Sequence, residues 1–308
     1  MSPARLCILG SINADLVVRV PRLPRPGETI AASGYEAHPG GKGANQAVAS
    51  ARMGASTVML GRVGDDEHGR WLRGVLSSEG IDAARVLASP PHATGVALIS
   101  VDGSGENTIV IAPGANGALT PADVHASRDA IFNADVLVMS LETPLDAVAA
   151  AAEIARETGT RTLLNAAPAR PLPPDLLERL DALVCNEGEA AEVAGSEGRY
   201  WSLPIATLVM TQGARGACYQ HEGRLGEVAP HRITPVDTVG AGDAFVGAFA
   251  TRVAEHQVRG TIDDVAILDA VCWANAAGAL AATRAGAIPS LPRRSEVIDL
   301  LRTNLLAD

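Results

Sequence analysis

Short apolar runs alternate with amphipathic, alanine-rich stretches along most of the chain, the pattern of parallel strands buried on both faces and joined by helices. The runs Leu6–Leu9, Thr57–Leu60, Asp135–Met139, Thr162–Leu164, Ala182–Cys185 and Thr207–Met210 read as strands. Helices are predicted over Ala44–Met53, Glu67–Ser78, Pro121–Ile131, Leu145–Thr158, Glu187–Ala194, Ala241–Ala254, Ile262–Thr283 and Ser295–Asn304. Thr120-Pro121 and Thr143-Pro144 are start signals, because a hydroxyl can cap a free N–H while proline occupies the first helical position.

Two segments break this rhythm. Asp15–Val20 with Glu28–Tyr35, and Thr94–Val101 with Asn107–Ile111, read as strand pairs with turns at Pro24–Gly27 and Asp102–Gly105. A small antiparallel sheet built from two sequence-distant insertions satisfies both pairs. Beside a sugar-sized site it would serve as a lid; elsewhere it would be a packing or dimer extension. The expected fold is therefore α/β: one domain over 1–308, with a doubly wound, mostly parallel sheet flanked by helices. The small β-sheet lid would take up about 13–37 and 94–112.

Composition narrows the function. In 308 residues, 47% hydrophobic content suffices for a substantial core, and the net charge of −10 argues against a nucleic-acid surface or a polybasic membrane patch. With 3% aromatic residues there is little to stack on single-stranded bases. Cys7, Cys185, Cys218 and Cys272 are scattered without a CxxC pair and read as reduced thiols of a cytoplasmic protein. No histidine pair has zinc-site spacing. The apolar run near the N-terminus is too short for a signal peptide or a membrane span.

The most informative stretch is Asp237-Thr238-Val239-Gly240-Ala241-Gly242-Asp243, followed by an apolar helix. Gly240 and Gly242 free the backbone to present N–H groups at a helix N-terminus, an arrangement that binds anions. A carboxylate there fits a transferred phosphoryl group, with Asp243 taking the proton of an attacking hydroxyl. The same residue would also serve as an ordinary first-turn helix residue. Gly41-Lys42 is not a Walker A loop, because position 36 is Glu and position 43 is Gly. Nor is 240–245 a dinucleotide fingerprint, since Phe245 stands where the third glycine belongs.

Polar residues also gather at predicted strand ends: Gly10-Ser11-Ile12-Asn13-Ala14-Asp15, Pro39-Gly40-Gly41-Lys42-Gly43-Ala44-Asn45-Gln46 and Ser140-Leu141-Glu142-Thr143-Pro144. Carboxylates and amides in pairs suit vicinal hydroxyls, although each group alone has a structural explanation in a turn, a helix entry or a surface charge.

With Pro113-Gly114-Ala115-Asn116, Asn165-Ala166-Ala167-Pro168-Ala169-Arg170 and Asn186-Glu187-Gly188-Glu189 added, the chain resembles the phosphofructokinase-B type carbohydrate kinases from Leu6 to about Pro292, and within them the ribokinases. The resemblance implies a ribokinase-like fold and ATP-dependent phosphorylation of the 5-hydroxyl of D-ribose, with a lid that also forms a homodimer. By motif, Asn13, Asp15, Gly41, Lys42, Gly43, Asn45 and Glu142 would hold the sugar together with Asp243. Asp243 would be the base, and the backbone of Gly240, Ala241, Gly242 and Asp243 the anion hole. Nucleotide contacts would come from Asn186, Thr211, Gln212, Gly213, Ala214, Arg215, Gly216, Gly242 and Asn275. Mg²⁺ would be held mostly through water near Asn186 and Glu189. K⁺ would sit at Asp237, Val239, Ala281, Arg284, Gly286 and Ser290, mostly on carbonyls.

The chain departs from the family pattern twice. The stretch between Asn186 and Thr211 is short, with 195–201 in place of a full helix, and Ser140 precedes Leu141-Glu142 where the family often has glutamine. Other acceptors of the same chemistry are deoxyribose, another pentose or a ribosyl nucleoside. A sugar-binding regulator without turnover is the reading from another class, and the intact Asp243 and its glycines oppose it.

Overall fold

The computed structural model describes residues 3–196, 198–260 and 262–305. Its strands are β1 (Arg5–Leu9), β2 (Asn13–Arg19), β3 (Gly34–Gly40), β4 (Ser56–Gly64), β5 (Asp82–Ser89), β6 (Gly95–Val101) and β7 (Asn107–Ala112). They continue with β8 (Val136–Ser140), β9 (Arg161–Asn165), β10 (Ala182–Asn186), β11 (Thr207–Thr211), β12 (Ala217–His221) and β13 (Arg224–Val228). The helices are α1 (Lys42–Arg52), α2 (Glu67–Ser78), α3 (Pro121–Ala126), α4 (Arg128–Phe132) and α5 (Leu145–Thr158). The later ones are α6 (Pro174–Leu177), α7 (Glu187–Ala194), α8 (Ala241–Val258), α9 (Asp264–Ala282) and α10 (Arg294–Leu305).

Among the described residues, nine strands form the main sheet in the order β13-β12-β11-β10-β9-β8-β1-β4-β5. Pairing is parallel from β11 to β5, and β12 and β13 form an antiparallel edge. From β1 the chain runs outward to β4 and β5, then returns to the other side at β8. Such a reversal opens a crevice at the carboxyl ends of the central strands. Alternation along β1 separates two cores: Leu6 and Ile8 pack with Val48, Phe249 and Val271 on one face, while Cys7 and Leu9 pack with Leu137, Val148 and Ile154 on the other. Each fully buried Leu or Ile contributes roughly 2 kcal/mol.

Glycines set the close approaches that matter for the site. A Cβ on Gly43 would stand 2.6 Å from the Gly10 Cα, so α1 lies directly on the turn after β1. A Cβ on Gly247 would stand 2.4 Å from that of Ala49, so α8 crosses α1 almost backbone to backbone. One turn before this crossing lie Asn45 on α1 and Asp243 on α8.

The second sheet, β3-β2-β6-β7, comes from two sequence-distant segments as anticipated, but it is mixed. β2 pairs parallel with β6, because both strands leave the main body in the same direction. The hairpin with its turn at Asp102–Gly105 forms as read, closed by Gly105 N–H donating to the Asp102 carbonyl at 3.0 Å. The first pair does not. β3 is Gly34–Gly40 rather than Glu28–Tyr35, and 20–33 is a loop in which Pro21, Pro24 and Pro26 offer no ladder donors.

Other differences are local. The helix predicted over Pro121–Ile131 breaks into α3 and α4 at Ser127, whose hydroxyl donates to the Asp123 carbonyl at 3.1 Å and competes with the backbone. Strands β5 and β13 are the two edges of the sheet and β12 lies next to one of them, and all three carry too little apolar alternation to stand out. In the short 195–201 segment α7 ends at left-handed Gly195, and Tyr200 and Trp201 pack edge to face on the core at 5.2 Å; Glu197 lies outside the described residues. By length and composition α9 could cross a membrane, and 50% of that stretch is buried in the fold.

Candidate active site

The turn after β1 and the start of α1 are built around Gly41. It caps α1 at φ 90°, and a Cβ there would stand 2.7 Å from Asn13 N and 2.8 Å from the Ser11 carbonyl. Both the left-handed backbone and the space exclude any other residue. Ala44 N–H donates to the Ser11 carbonyl at 3.0 Å, locking the two motifs together.

Asp243 stands in the first turn of α8 and is buried, 8% exposed. Asn45 Nδ2 donates to its Oδ2 at 2.8 Å and Gln46 Nε2 to its Oδ1 at 3.0 Å. Gln46 Nε2 also donates to Asn165 Oδ1 at 3.0 Å, and Asn165 Nδ2 donates to the Val184 carbonyl at 3.1 Å. The carboxylate is thereby fixed to α1 and to the end of β9. Burial pushes its carboxyl above the usual carboxylate range, while the Lys42 charge and the two amides pull the other way without overcoming it. A carboxylate with raised proton affinity and fixed orientation is suited to take a proton from a hydroxyl.

On one side of Asp243 lie the predicted sugar ligands. Asn13 is buried, and its Oδ1 accepts from Asn116 Nδ2 at 2.7 Å. Asn116 also braces the Ile12 backbone, accepting from its N–H at 2.9 Å and donating to its carbonyl at 3.2 Å. Asp15 folds over Gly40, where a Cβ would stand 2.0 Å from the Asp15 carboxylate. Burial, with Glu142 adding to it, raises the Asp15 carboxyl to about 7. Glu142 accepts from the Ser11 hydroxyl and, at 3.2 Å, from Lys42 N–H. A cavity of about 350 Å³ borders Asn13 and Glu142 and is lined by Ile111, Pro113, Leu141 and Arg170.

On the other side a cavity of about 220 Å³ is lined by Lys42, Asn186, Glu189, Thr211, Gly240, Gly242 and Asp243. Gly240, at φ 79°, starts α8, and a Cβ on Gly242 would meet nothing within 4 Å, so the first helical turn opens onto free space. First-turn N–H groups have no intrahelical acceptor and can receive an anion, although that of Ala241 makes a 3.2 Å contact with the Thr238 carbonyl. Burial alone would lower the Lys42 ammonium; the carboxylates of Asp243, Glu142 and Glu189 hold it above its ordinary value. Lys42 therefore stays charged on the wall of this cavity.

The remaining predicted residues fall into distinct places. Gly43 serves the helix contact with Gly10. Thr211 lines the cavity, and Gly213–Arg215 form a turn of 3-10 helix joining β11 to β12. Gln212 donates to Glu187 at 3.2 Å and Arg215 pairs with the same carboxylate, bracing this turn against α7. Gly216, at φ 92°, lies against the Val228 carbonyl, while Ala214 belongs to the turn itself. Asn275 Nδ2 donates to the Ala229 carbonyl at 2.7 Å, which ties α9 to the chain after β13.

Among the described residues no group of three or more His, Cys, Asp and Glu side chains gathers as a metal cage. The two expected cation positions offer donors of another kind. Glu189 and Asn186 form a reciprocal capping box, with Asn186 N–H donating to Glu189 at 2.8 Å and Glu189 N–H to Asn186 at 2.9 Å. Their remaining oxygen capacity faces the cavity, which fits an ion held through water. Asp237 accepts from Val239 N–H at 3.0 Å and from Gly286 N–H at 2.9 Å, joining the turn before α8 to the loop after α9. Ser290 donates to the carbonyls of Ala287 at 2.8 Å and Val239 at 3.5 Å. The Arg284 guanidinium is engaged by Glu296, leaving only its carbonyl for a cation, and Ala281 likewise has only a carbonyl to offer.

Sequence reasoning did not assign Gln46, Asn165, Asn116 or Ser11 to the site, although each lies inside a motif that carried the resemblance. The signal for Gln46 was its place next to Asn45 in a first helical turn. Nothing in the spacing marked Asn165 as its partner, since 119 residues separate them.

Residues 3–294 match the profile of the pfkB family carbohydrate kinases. The ribokinase of Haemophilus influenzae is 37% identical over 307 residues, covering 96% of this chain and 98% of that protein. The deoxyribokinase of Salmonella typhi is 34% identical over 257 residues, 80% of this chain and 84% of that one. The structure of Arabidopsis thaliana ribokinase complexed with ribose and ATP superposes with a TM-score of 0.88 at 29% identity, covering 98% of this chain and 99% of that chain. The sheet order, the braced carboxylate on the cavity wall and these likenesses agree: the chain belongs to the pfkB family of carbohydrate kinases, enzymes that transfer a phosphoryl group from ATP to a sugar hydroxyl.

Proposed function

We propose that the acceptor is D-ribose and that its 5-hydroxyl is phosphorylated, giving ribose 5-phosphate and ADP. The observation that carries this reading is Asp243, held by Asn45 and Gln46, on the wall of the cavity edged by Lys42, Asn186, Thr211 and Gly242, with the carboxylates of Asp15 and Glu142 close enough to act on it or its neighbours and a second cavity at Asn13 and Glu142. Carboxylates and amides in that number match a small polyol, whose vicinal hydroxyls each need an acceptor. Asp243 takes the proton of the 5-hydroxyl as its oxygen bonds to the γ-phosphorus; the bond from that phosphorus to the bridging oxygen breaks and ADP leaves. Lys42 and the N–H groups at the start of α8 face the charge that builds on the transferred group. Magnesium bound with the triphosphate would offset its charge, with Asn186 and Glu189 holding its waters. A potassium ion would rest on the carbonyls around Asp237, stiffening the turn that carries Gly240.

The segments 13–37 and 94–112 act in this reading as a lid that excludes water during transfer, on a single domain. The exposed Leu98, Ile109 and Val110 of that sheet, between 49% and 62% exposed, suit a homodimer formed lid to lid. A cytoplasmic location accords with reduced cysteines and a nucleotide co-substrate.

The likeness to a deoxyribokinase favours a second acceptor, deoxyribose, and the cavity beside Glu142 leaves room for a ribosyl nucleoside. An ADP-release assay over a panel of ribose, deoxyribose, other pentoses and nucleosides, with and without K⁺, separates these readings. Turnover highest with ribose supports the proposal, and preference for another acceptor replaces it.

A further inference from the structure

The lid supplies a charge partner for Asp15 that none of the motifs contains. β2 and β3 run antiparallel with Asp15 opposite His38 and Val17 opposite Glu36. Directly opposed residues project from the same face, with Cβ atoms about 5 Å apart. His38 Nε2 lies 2.9 Å from Glu36 Oε2, and Glu36 lies 3.9 Å from the Arg19 guanidinium. One face of the lid therefore carries Asp15, His38, Glu36 and Arg19 in a row, alternating in sign when the imidazole is protonated. Asp15 is the inner end, and Glu36 and Arg19 are at the open end with side chains 50% and 60% exposed.

Asp15 needs such a partner. Its carboxylate is confined over Gly40, with Glu142 from the turn after β8 and Asp243 from α8 as the further negative groups that act on it, while Lys42 of α1 is held charged by Asp243, Glu142 and Glu189. Burial and Glu142 raise its proton affinity, and His38 is the group that opposes them. The form matters chemically: an ionised carboxylate accepts two hydroxyl hydrogen bonds, whereas the neutral acid must use one oxygen as a donor.

We propose that His38 is a positioning residue for sugar capture: tethered by Glu36 and opposite Asp15 in the strand register, its ring, when protonated, draws the Asp15 carboxylate into line to accept two sugar hydroxyls. The inference rests on the reading of Asp15 as a sugar ligand. Asp15 does not touch the transferring atoms, so the effect belongs in the acceptor KM rather than in kcat.

The test is steady-state kinetics of the full-length enzyme with ribose and ATP, at pH values either side of neutrality. His38→Gln, His38→Lys, Glu36→Gln and Asp15→Asn are compared with the unaltered protein. His38→Gln is expected to raise the acceptor KM roughly 3- to 10-fold near neutrality with kcat unchanged. It should also move the low-pH rise in KM to higher pH, because the cation opposing protonation of Asp15 is gone. Glu36→Gln shifts it in the same direction by less, and His38→Lys, which keeps the charge, retains the original profile. If His38→Gln superimposes on the unaltered enzyme while Asp15→Asn raises KM, the role of His38 is overturned and the sugar site stands. If His38→Lys behaves like His38→Gln, charge is not the operative property and the proposal fails. An unchanged KM in Asp15→Asn overturns the sugar-site reading itself.

Discussion

Asn45 donates its side-chain amide to Asp243 at 2.8 Å across a helix crossing that Ala49 and Gly247 keep close, one turn further along each helix. The packing of α1 on α8 and the orientation of this carboxylate are therefore one structural fact. Only a glycine at 247 lets the backbones approach closely enough for a side chain as short as Asn45 to reach the carboxylate.

The first prediction concerns that carboxylate. Asp243→Asn keeps the shape and removes the proton acceptor, so kcat should fall by about 10³-fold. Ribose binding measured by calorimetry should change little. A variant turning over at close to the original rate would end the general-base assignment.

Gln46 is predicted to matter nearly as much to orientation. Gln46→Leu withdraws the donor shared by Asp243 and Asn165, leaving two buried oxygens without it at a cost of about 1–3 kcal/mol. With one fewer hydrogen bond to its charged form, Asp243 holds its proton to higher pH. The acid limb of the kcat profile should move upward and the melting temperature should fall. An unchanged pH profile in a folded variant contradicts this.

Gly40→Ala tests the seat of Asp15. The added Cβ would stand 2.0 Å from the carboxylate, which must swing away. The expected result is an acceptor KM raised at least tenfold, with the KM for ATP unaffected. Equal changes in both constants would mean that the lid strand, rather than the sugar pocket, had been disturbed.

Asp15 also carries a stability signature. Its folded value of about 7 lies above the ordinary 3.8, so the ligand-free protein binds this proton more tightly folded than unfolded. That stabilisation is complete below the ordinary value and is lost as pH rises through the folded one. In ligand-free enzyme, Asp15→Asn should therefore raise the melting temperature by about 3 °C on the alkaline side. The gain should shrink towards zero in acid. A variant less stable at all pH values would show that the carboxylate is a structural asset instead.

Much of this was legible beforehand for a physical reason. Buried parallel strands must be apolar throughout and helices amphipathic, so Leu6–Leu9, Asp135–Met139 and Thr207–Met210 announced themselves. A crevice at the strand ends follows from the doubly wound topology, which explains why Asn13, Asp15, Asn45, Glu142 and Asp243 could be singled out as candidates beside it. The lid resisted in part, although the β6–β7 hairpin was read correctly: β3 lies largely in solvent and holds Pro39 and two glycines. It gives no clean alternation, so the first hairpin was displaced, and the parallel β2–β6 pairing joins segments too distant in sequence to be seen.

The chain by itself determined the alternation of elements, the backbone freedom at Gly41 and Gly240 and which side chains are candidates for the chemistry, since these depend on local covalent properties and on periodic burial. Tertiary structure decided which groups meet. The Gln46–Asn165–Asp243 linkage and the Asp15–His38–Glu36 row join residues through a helix crossing and a strand register, and neither distance nor electrostatic coupling is encoded in spacing along the chain.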